Sequence, residues 1–250
     1  MKISIVTVSY NSVETISDTI YSVRAQDHFD IEHIIIDGAS TDGTVELVRS
    51  MADERTTFVS EPDNGLYDAM NKGIARATGD VIGILNSDDF YADSGVLSRV
   101  VARFTDGPPV EAVLGDIAFL AGDVSERRIG RRYRSKRFTP RRIAWGWMPA
   151  HPAMFITRDA YARVGGYRTD YRIASDYEFV ARAFGRHNLS YRHLEEFLVL
   201  MRPGGVSTEG LCAKWTINVE SLRACRENGI ASNLFMIMSK YPIKILDALR

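Results

Sequence analysis

The chain has 250 residues, 45% hydrophobic and 25% charged, which suits one large globular domain or a domain with an appendage and excludes a disordered chain. Lys and Arg total 31 against 32 Asp and Glu, a net charge of −1, so no global field recruits nucleic acid or another polyanion. No stretch approaches the about 20 apolar residues of a membrane span, and "MKISIVTVSYN" turns polar by Ser9, without the apolar core and cleavage site of a signal peptide. A cytoplasmic protein is expected, its thiols reduced: Cys212 and Cys225 fall in one helical pattern, about 20 Å apart at about 1.5 Å per residue, too far to bridge.

In chain order, the apolar run "ISIVTV" is followed by "NSVETISDTIYSVRAQ", a helical pattern in which Asn11 is the expected cap and Glu14 its capping-box partner. "HIIID" leads to "STDGTVELVRSMA", "TTFVS" to "GLYDAMNKGIARAT", and "DVIGIL" to "SGVLSRVVARF". These strands are continuously apolar rather than alternating, as in strands covered on both faces. Repeated β-then-α units predict an α/β fold with an open, mostly parallel, doubly wound sheet. Ligands bind such sheets at the carboxyl ends of the strands. The polar clusters fall there: Ser9-Tyr10-Asn11, Asp37-Gly38, Ser60-Glu61-Pro62-Asp63 and Asn86-Ser87-Asp88-Asp89.

Beyond Phe104 come the strand-like "EAVLGDIAFL", a basic run at 127–142 ("RRIGRRYRSKRFTPRR"), the apolar "AMFIT", a helix from about Ser175 to Arg186 and a strand-like "FLVLMR". From about Thr208 the pattern is helical to the end. The expected organisation is 1–206 as the main domain, with halves 1–104 and 105–206, and 207–250 as a C-terminal helical segment.

"GILNSDDFYAD" crowds Asp88, Asp89 and Asp93 with no basic residue among them. Packed carboxylates raise one another's pKa unless a cation is present, and adjacent aspartates offer hard oxygen ligands to Mg²⁺ or Mn²⁺. A turn that caps the next helix is the other reading, and the preferred one for Asp93.

In order and spacing, "VSYN", "DGASTDGT", "SEPDNGLYDAMNKG" and "LNSDD" resemble the nucleotide-sugar-binding half of family 2 glycosyltransferases, which have a GT-A fold; the resemblance covers roughly residues 1–205. It implies that Tyr10 and Asn11 line the nucleotide pocket and that Asp37 accepts a hydrogen bond from the base, uracil or guanine in a UDP- or GDP-sugar. Ser9, Asp63 and Ser87 stand in the same motifs and fall to the same donor surface. Asp88 and Asp89 would hold Mn²⁺ or Mg²⁺ against the diphosphate. Two positions depart from the family pattern: Asn86 replaces a first aspartate, and Met70 replaces an arginine, which leaves the diphosphate contact to Lys72, another base or nothing. Lys72 also pairs with Asp68 at i,i+4, the reading of a plain surface ion pair. Arg202, with Gly204, Gly205 and Ser207, resembles a lid over the diphosphate. No Gln-x-x-Arg-Trp motif of processive members is present, which favours single-sugar addition.

Inverting transfer needs a base for the acceptor hydroxyl, and "IASDYEFVARAF" resembles the family's catalytic-base motif. Asp176 shares a helix face with Val180 and Ala183, whereas Glu178 lies about 200° round the helix and is set to pair with Arg182. Asp176 is therefore the expected base, with a mere helix cap as the alternative. His151 in "MPAHPAMF" matches a family histidine that would complete the metal shell or touch the diphosphate; a structural histidine explains it equally. Gly115-Asp116 shapes the acceptor side or a strand-end turn.

The basic run and the tail "NLFMIMSKYPIKILDALR", with Lys240, Lys244 and Arg250, fit an anionic membrane surface at the inner face of the membrane or a lipid-linked acceptor. A solvated hairpin and packing on the main domain or in an oligomer fit them too. The function read from these residues is a metal-dependent inverting glycosyltransferase moving one sugar to a saccharide or lipid-linked acceptor in cell-surface polysaccharide or glycolipid assembly. Its rivals are a sugar-nucleotidyltransferase, which should carry a Gly-rich, Arg-containing phosphate loop where "VSYNSVET" stands, and a non-catalytic nucleotide-sugar-binding protein, which would lack the base.

Overall fold

The computed structural model describes residues 1–122, 128–202 and 210–241. Strand β1 (Ile3–Ser9) is buried along its whole length. Ile3 and Ile5 join one apolar cluster and Val6 and Val8 another, so both faces of the strand are covered. β1 lies between β2 (Ile31–Asp37) and β4 (Val81–Ile84), parallel to both, and β2 carries β3 (Thr56–Ser60), again in parallel. The intervening helices are α1 (Ile16–Arg24), α2 (Thr44–Met51) and α3 (Leu66–Arg76). α3 approaches β1 closely because Gly73 has no side chain: a Cβ there would stand 2.2 Å from Val6 Cγ1.

The second half extends the sheet. A short β5 (Asp89–Tyr91) precedes α4 (Val96–Thr105) and β6 (Ala112–Leu120). Then follow β7 (Ile129–Tyr133), α5 (Pro140–Ile143), β8 (Met154–Thr157), α6 (Arg158–Val164), α7 (Ser175–Val180) and β9 (Tyr191–Met201). The order is β3-β2-β1-β4-β8-β6-β9-β5, with β7 paired to β6. The expected α/β sheet is present; β8 joins its halves by running antiparallel to both β4 and β6. β5 pairs antiparallel with β9, Asp89 opposite Met201, and this register carries Arg202 to Asp88.

Several local expectations need correction. α1 begins at Ile16 rather than just after Asn11, and no side chain among the described residues caps it. Asn11 takes a left-handed backbone (φ 48°) and ties two loops together instead, its N–H on Ser40 Oγ and its Oδ1 taking the Thr41 N–H. Gly115-Asp116 is not a strand end: β6 continues to Leu120, and buried Asp116 accepts the Ser135 N–H at 2.7 Å. In the basic run, Arg131 and Arg132 belong to the exposed strand β7, with Arg131 over the Phe119 ring, and Lys136 pairs with Glu195, so this stretch forms a hairpin edge. Arg127 lies outside the described residues.

The C-terminal segment forms α8 (Gly210–Glu227) and α9 (Leu234–Met238), and Leu222, Ala224, Cys225 and Ile237 enter the same apolar cluster as Phe184 and Ile143. Lys240, read as part of a membrane-interfacial helix or of one packed on the main domain, is buried beside Gly146 and over the Tyr241 ring. Cys212 and Cys225 are free thiols, the first exposed and the second buried. Lys244, Arg250, Gly204, Gly205 and Ser207 lie outside the described residues. Among the described residues no helix is long and apolar enough to cross a membrane.

Candidate active site

The parallel register of β1, β2 and β3 ends in one row: Ser9 stands opposite Asp37 and Asp37 opposite Ser60. Fully buried Asp37 takes the Ser9 hydroxyl at 3.1 Å, the Ser60 hydroxyl at 2.7 Å, and both the hydroxyl and the N–H of Ser40, the latter at 2.9 Å. Two carboxylate oxygens accept about four hydrogen bonds. Asp37 therefore knots three strand ends, and a base N–H could reach it only by displacing one of these donors. The open surface lies just outside. Tyr10 is 68% exposed, and the bare Gly38 lets the Asp63 carboxylate close in beside it: a Cβ there would stand 2.6 Å from Asp63 Oδ2 and 3.4 Å from the Tyr10 ring. Asp63 Oδ1 holds the Gly65 N–H, leaving Oδ2 toward Gly38. A flat ring stacked on Tyr10 with a polar edge toward Asp63 suits this surface.

Lys72 is committed elsewhere. Its ammonium donates to the Pro62 carbonyl at 2.9 Å and pairs with Glu61 and Asp68, so it pins the loop after β3 onto α3. This is the surface ion-pair reading, and the diphosphate contact expected of Lys72 finds no support in its geometry.

At the end of β4, Ser87 donates to Ser12 Oγ at 2.8 Å, which joins this turn to the β1 loop. Asp88 is half-buried, while Asp89 is fully buried in β5. Burial and the adjacent Asp88 charge push the Asp89 carboxyl well above its usual range, against the pull of the Asn86 amide and Arg202. Asp89 Oδ1 and Asn86 Oδ1 are buried without a hydrogen-bond partner among the described residues. Arg202 closes the group: it donates to the Asp88 carbonyl at 2.7 Å, pairs with Asp18 and lies over the Phe90 ring. Orphaned hard oxygens beside a half-exposed carboxylate fit a divalent cation of the Mg²⁺ or Mn²⁺ kind, which needs about one or two carboxylates when substrate phosphates complete its shell. Asp93 stands apart, accepting the Gly95 N–H ahead of α4 and pairing with Arg99.

The expectation that His151 completes a metal shell is not met. Its Nε2 meets the Tyr167 hydroxyl at 3.0 Å, burial lowers its pKa to about 4, and among the described residues no group of at least 3 His, Cys, Asp or Glu side chains is placed to hold a metal. It is a neutral member of an aromatic cluster with Tyr167 and Phe179.

Asp176 lies in the first turn of α7, half-buried, its Oδ1 on the Tyr177 N–H at 2.7 Å. Burial pushes its carboxyl up to about 6, while the Tyr177 N–H and the Lys240 charge pull it down. Tyr67, Tyr133 and Tyr167 feel its charge. Glu178 makes the expected pair with Arg182, at 3.0 and 2.8 Å. Yet Glu178 is the more buried acid, because α8 packs on α7 and Asn228, just past the end of α8, also reaches its carboxylate. A helical wheel separates the two acids but cannot say that both faces are covered. Beyond Val180 the helix widens into a π-turn over Ala181–Arg186, a distortion frequent at functional sites.

The site also draws on residues that no motif marks: Asp18 as the Arg202 partner, and Tyr133 and Tyr167 near Asp176. Asp18 carries one readable signal, an acid in the first turn of α1.

The family model described as glycosyl transferase family 2 matches residues 4–165 of this chain. The chain is 36% identical over 182 residues to an uncharacterised glycosyltransferase of Mycobacterium tuberculosis, covering 72% of this chain and 68% of that one. It is 29% identical over 194 residues to a Mycobacterium bovis protein named PGL/p-HBAD biosynthesis glycosyltransferase, 76% and 73% of the two chains. Among solved structures, the mannosyltransferase PcManGT of Pyrobaculum calidifontis, in complex with GDP-Man and Mn²⁺, superposes with a TM-score of 0.70 at 20% identity, over 99% of this chain and 73% of that one. S. aureus TarS gives 0.68 at 18% identity, over 92% of this chain and 41% of that one. At these identities the likeness to solved structures shows the fold, which is GT-A. Both the family match over more than half of its residues and the M. tuberculosis relative lead to one conclusion: the chain belongs to glycosyl transferase family 2 and is a glycosyltransferase.

Proposed function

We propose that this glycosyltransferase moves a single sugar, with inversion, from a nucleoside diphosphate sugar to an acceptor hydroxyl, with a divalent cation at Asp88 and Asp89 and Asp176 as the general base. The observation that carries the proposal is a pair of unlike carboxylate environments: a crowded Asp88-Asp89 pair with an orphaned oxygen at one strand end, and Asp176, pushed up to about 6, on α7.

The nucleobase stacks on Tyr10 with its edge toward Asp63, and Arg202 faces the diphosphate. A cation bound at Asp88 and Asp89 would offset the charge of the departing diphosphate. Asp176 takes the proton of the acceptor hydroxyl as that oxygen bonds to the anomeric carbon and the bond from this carbon to the diphosphate oxygen breaks. A carboxyl near 6 is ionised at neutral pH and still basic enough to accept the proton. The donor class is supported by GDP-Man and Mn²⁺ in PcManGT and by UDP-GlcNAc in a TarS complex. The name of the M. bovis relative, PGL/p-HBAD biosynthesis glycosyltransferase, supports a biosynthetic role of this kind. An anionic membrane surface suits exposed Arg141, Arg142 and Trp145, which adjoin the start of α9 through the Ser232 hydroxyl on the Ala144 carbonyl.

The test is thermal unfolding with UDP or GDP, each with Mn²⁺. One nucleotide should raise the Tm of the native protein in a metal-dependent way and leave Asp89→Ala unmoved; an undiminished shift in Asp89→Ala would remove the metal assignment.

A further inference from the structure

α8 turns three charged side chains at i, i+3 and i+7, Glu220, Arg223 and Glu227, toward one short segment, residues 168–174, which leads into the helix of Asp176. Glu220 accepts three successive backbone N–H groups there, those of Arg172 at 2.7 Å, Ile173 at 3.0 Å and Ala174 at 2.8 Å. Arg223 donates to the Asp170 carbonyl and pairs with its carboxylate, and its guanidinium lies 4.3 Å from the Tyr171 ring centre. Glu227 takes the Tyr171 hydroxyl at 2.9 Å and pairs with Arg168. From the other side, Tyr67 of α3 donates its hydroxyl to the Ile173 carbonyl. Among the described residues no side chain caps α7 at Ala174, so its entry is held by these outside contacts.

We propose that Glu220 is the positioning residue for Asp176: α8 acts as a splint that fixes the backbone just ahead of α7 and sets the base against the donor half at Tyr67. This role of Glu220 rests on that of Asp176 as the base. Both residues lie past the family match, which ends at 165, so the device belongs to the C-terminal part of the chain. Charge-assisted bonds from one carboxylate to three adjacent N–H groups leave the segment little freedom. A displacement of about 1 Å at a catalytic group costs about a hundredfold in rate.

The titratable groups that face Asp176 are Lys240, Glu220 and the hydroxyls of Tyr67, Tyr133 and Tyr167. Glu220 is the anion among them and raises the Asp176 pKa, so its neutralisation moves the acidic limb of a pH–rate profile to lower pH. Turnover is read as release of UDP or GDP from UDP-N-acetylglucosamine, UDP-glucose and GDP-mannose with Mn²⁺ and water as acceptor. Glu220→Ala should lose about tenfold or more in kcat, with the Mn²⁺-dependent thermal shift by UDP or GDP unchanged. Glu220→Gln, which keeps one acceptor oxygen for the Ile173 and Ala174 N–H groups but turns an amide donor toward the Arg172 N–H, should recover part of kcat and still show the lowered acidic limb. Unchanged kcat in Glu220→Ala, or an unmoved limb in Glu220→Gln should the alanine variant not fold, overturns the positioning role. Turnover by Asp176→Asn would instead remove the base, and the positioning role with it; an inactive Asp176→Asn beside a fully active Glu220→Ala overturns the positioning role alone.

Discussion

Asp37 stands where β1, β2 and β3 end together, and donors from the ends of β1 and β3 and from the loop after β2 fill both of its oxygens. Asp37→Asn replaces one acceptor oxygen with a donor facing hydroxyls and an N–H, and should cost about 1–3 kcal/mol of stability, the usual range for a buried polar group left unmatched. Chemical denaturation checks this; a variant as stable as the native protein would mean that the serines turn to other partners at no cost. The motif around Asp37 marks it only as a contact for the nucleobase. It leaves out Ser60, 23 residues further on, because that partner arrives through the β2–β3 register. Asp88, Asp89 and Arg202 show the same limit from the other side. The motif names the acids, and the β5–β9 register delivers Arg202, which sequence distance alone hides.

The strands of the first half were legible because each is a continuous apolar run with a polar cluster at its end. β5 and β7 were not, since three residues around Asp89 and an arginine-rich edge carry no strand pattern. The start of α1 was misplaced because Asn11 and Glu14 satisfy the capping pattern, yet the left-handed turn at Asn11 commits its side chain to the neighbouring loop. α3 shows how a helix is set against its strand. In Gly73→Ala the added Cβ would stand 2.2 Å from Val6, and overpacking of this kind costs about 1–3 kcal/mol. The higher helix propensity of alanine returns about 1 kcal/mol. Net destabilisation is expected, read as a lower denaturation midpoint with an unchanged slope; a gain in stability would show that α3 is free to move off the sheet.

Over the full length of the chain, the C-terminal helices are expected either as a segment of their own or packed on the main domain, and their residues fill the same core as the sheet's helices. No local pattern reveals this, because the partners of α8 at 172–174 lie more than 40 residues away. Around α9 and α5 the surface keeps exposed apolar groups, Trp145, Phe235 and Met238, beside Arg141 and Arg142. Such a mixture favours an anionic interface. The protein should sediment with phosphatidylglycerol vesicles and not with phosphatidylcholine vesicles, and Arg141→Glu with Arg142→Glu should release it; equal binding to both lipids, or to neither, counts against a membrane setting.

In the proposed mechanism catalysis turns on Asp176, raised to about 6 by its burial. A base must be ionised to accept a proton, so protonation below this pKa removes activity and deprotonation above it restores activity. The decisive measurement is kcat against pH from about 5 to 8 with a sugar nucleotide and Mn²⁺, for the native protein and Asp176→Asn. The native rate should climb through about pH 6 and then level. The Asp176→Asn rate should be lower by about 10²–10⁴ at every pH, with the metal-dependent thermal shift by UDP or GDP intact. An Asp176→Asn enzyme that turns over at the native rate with the same acidic limb would take the base role away from Asp176.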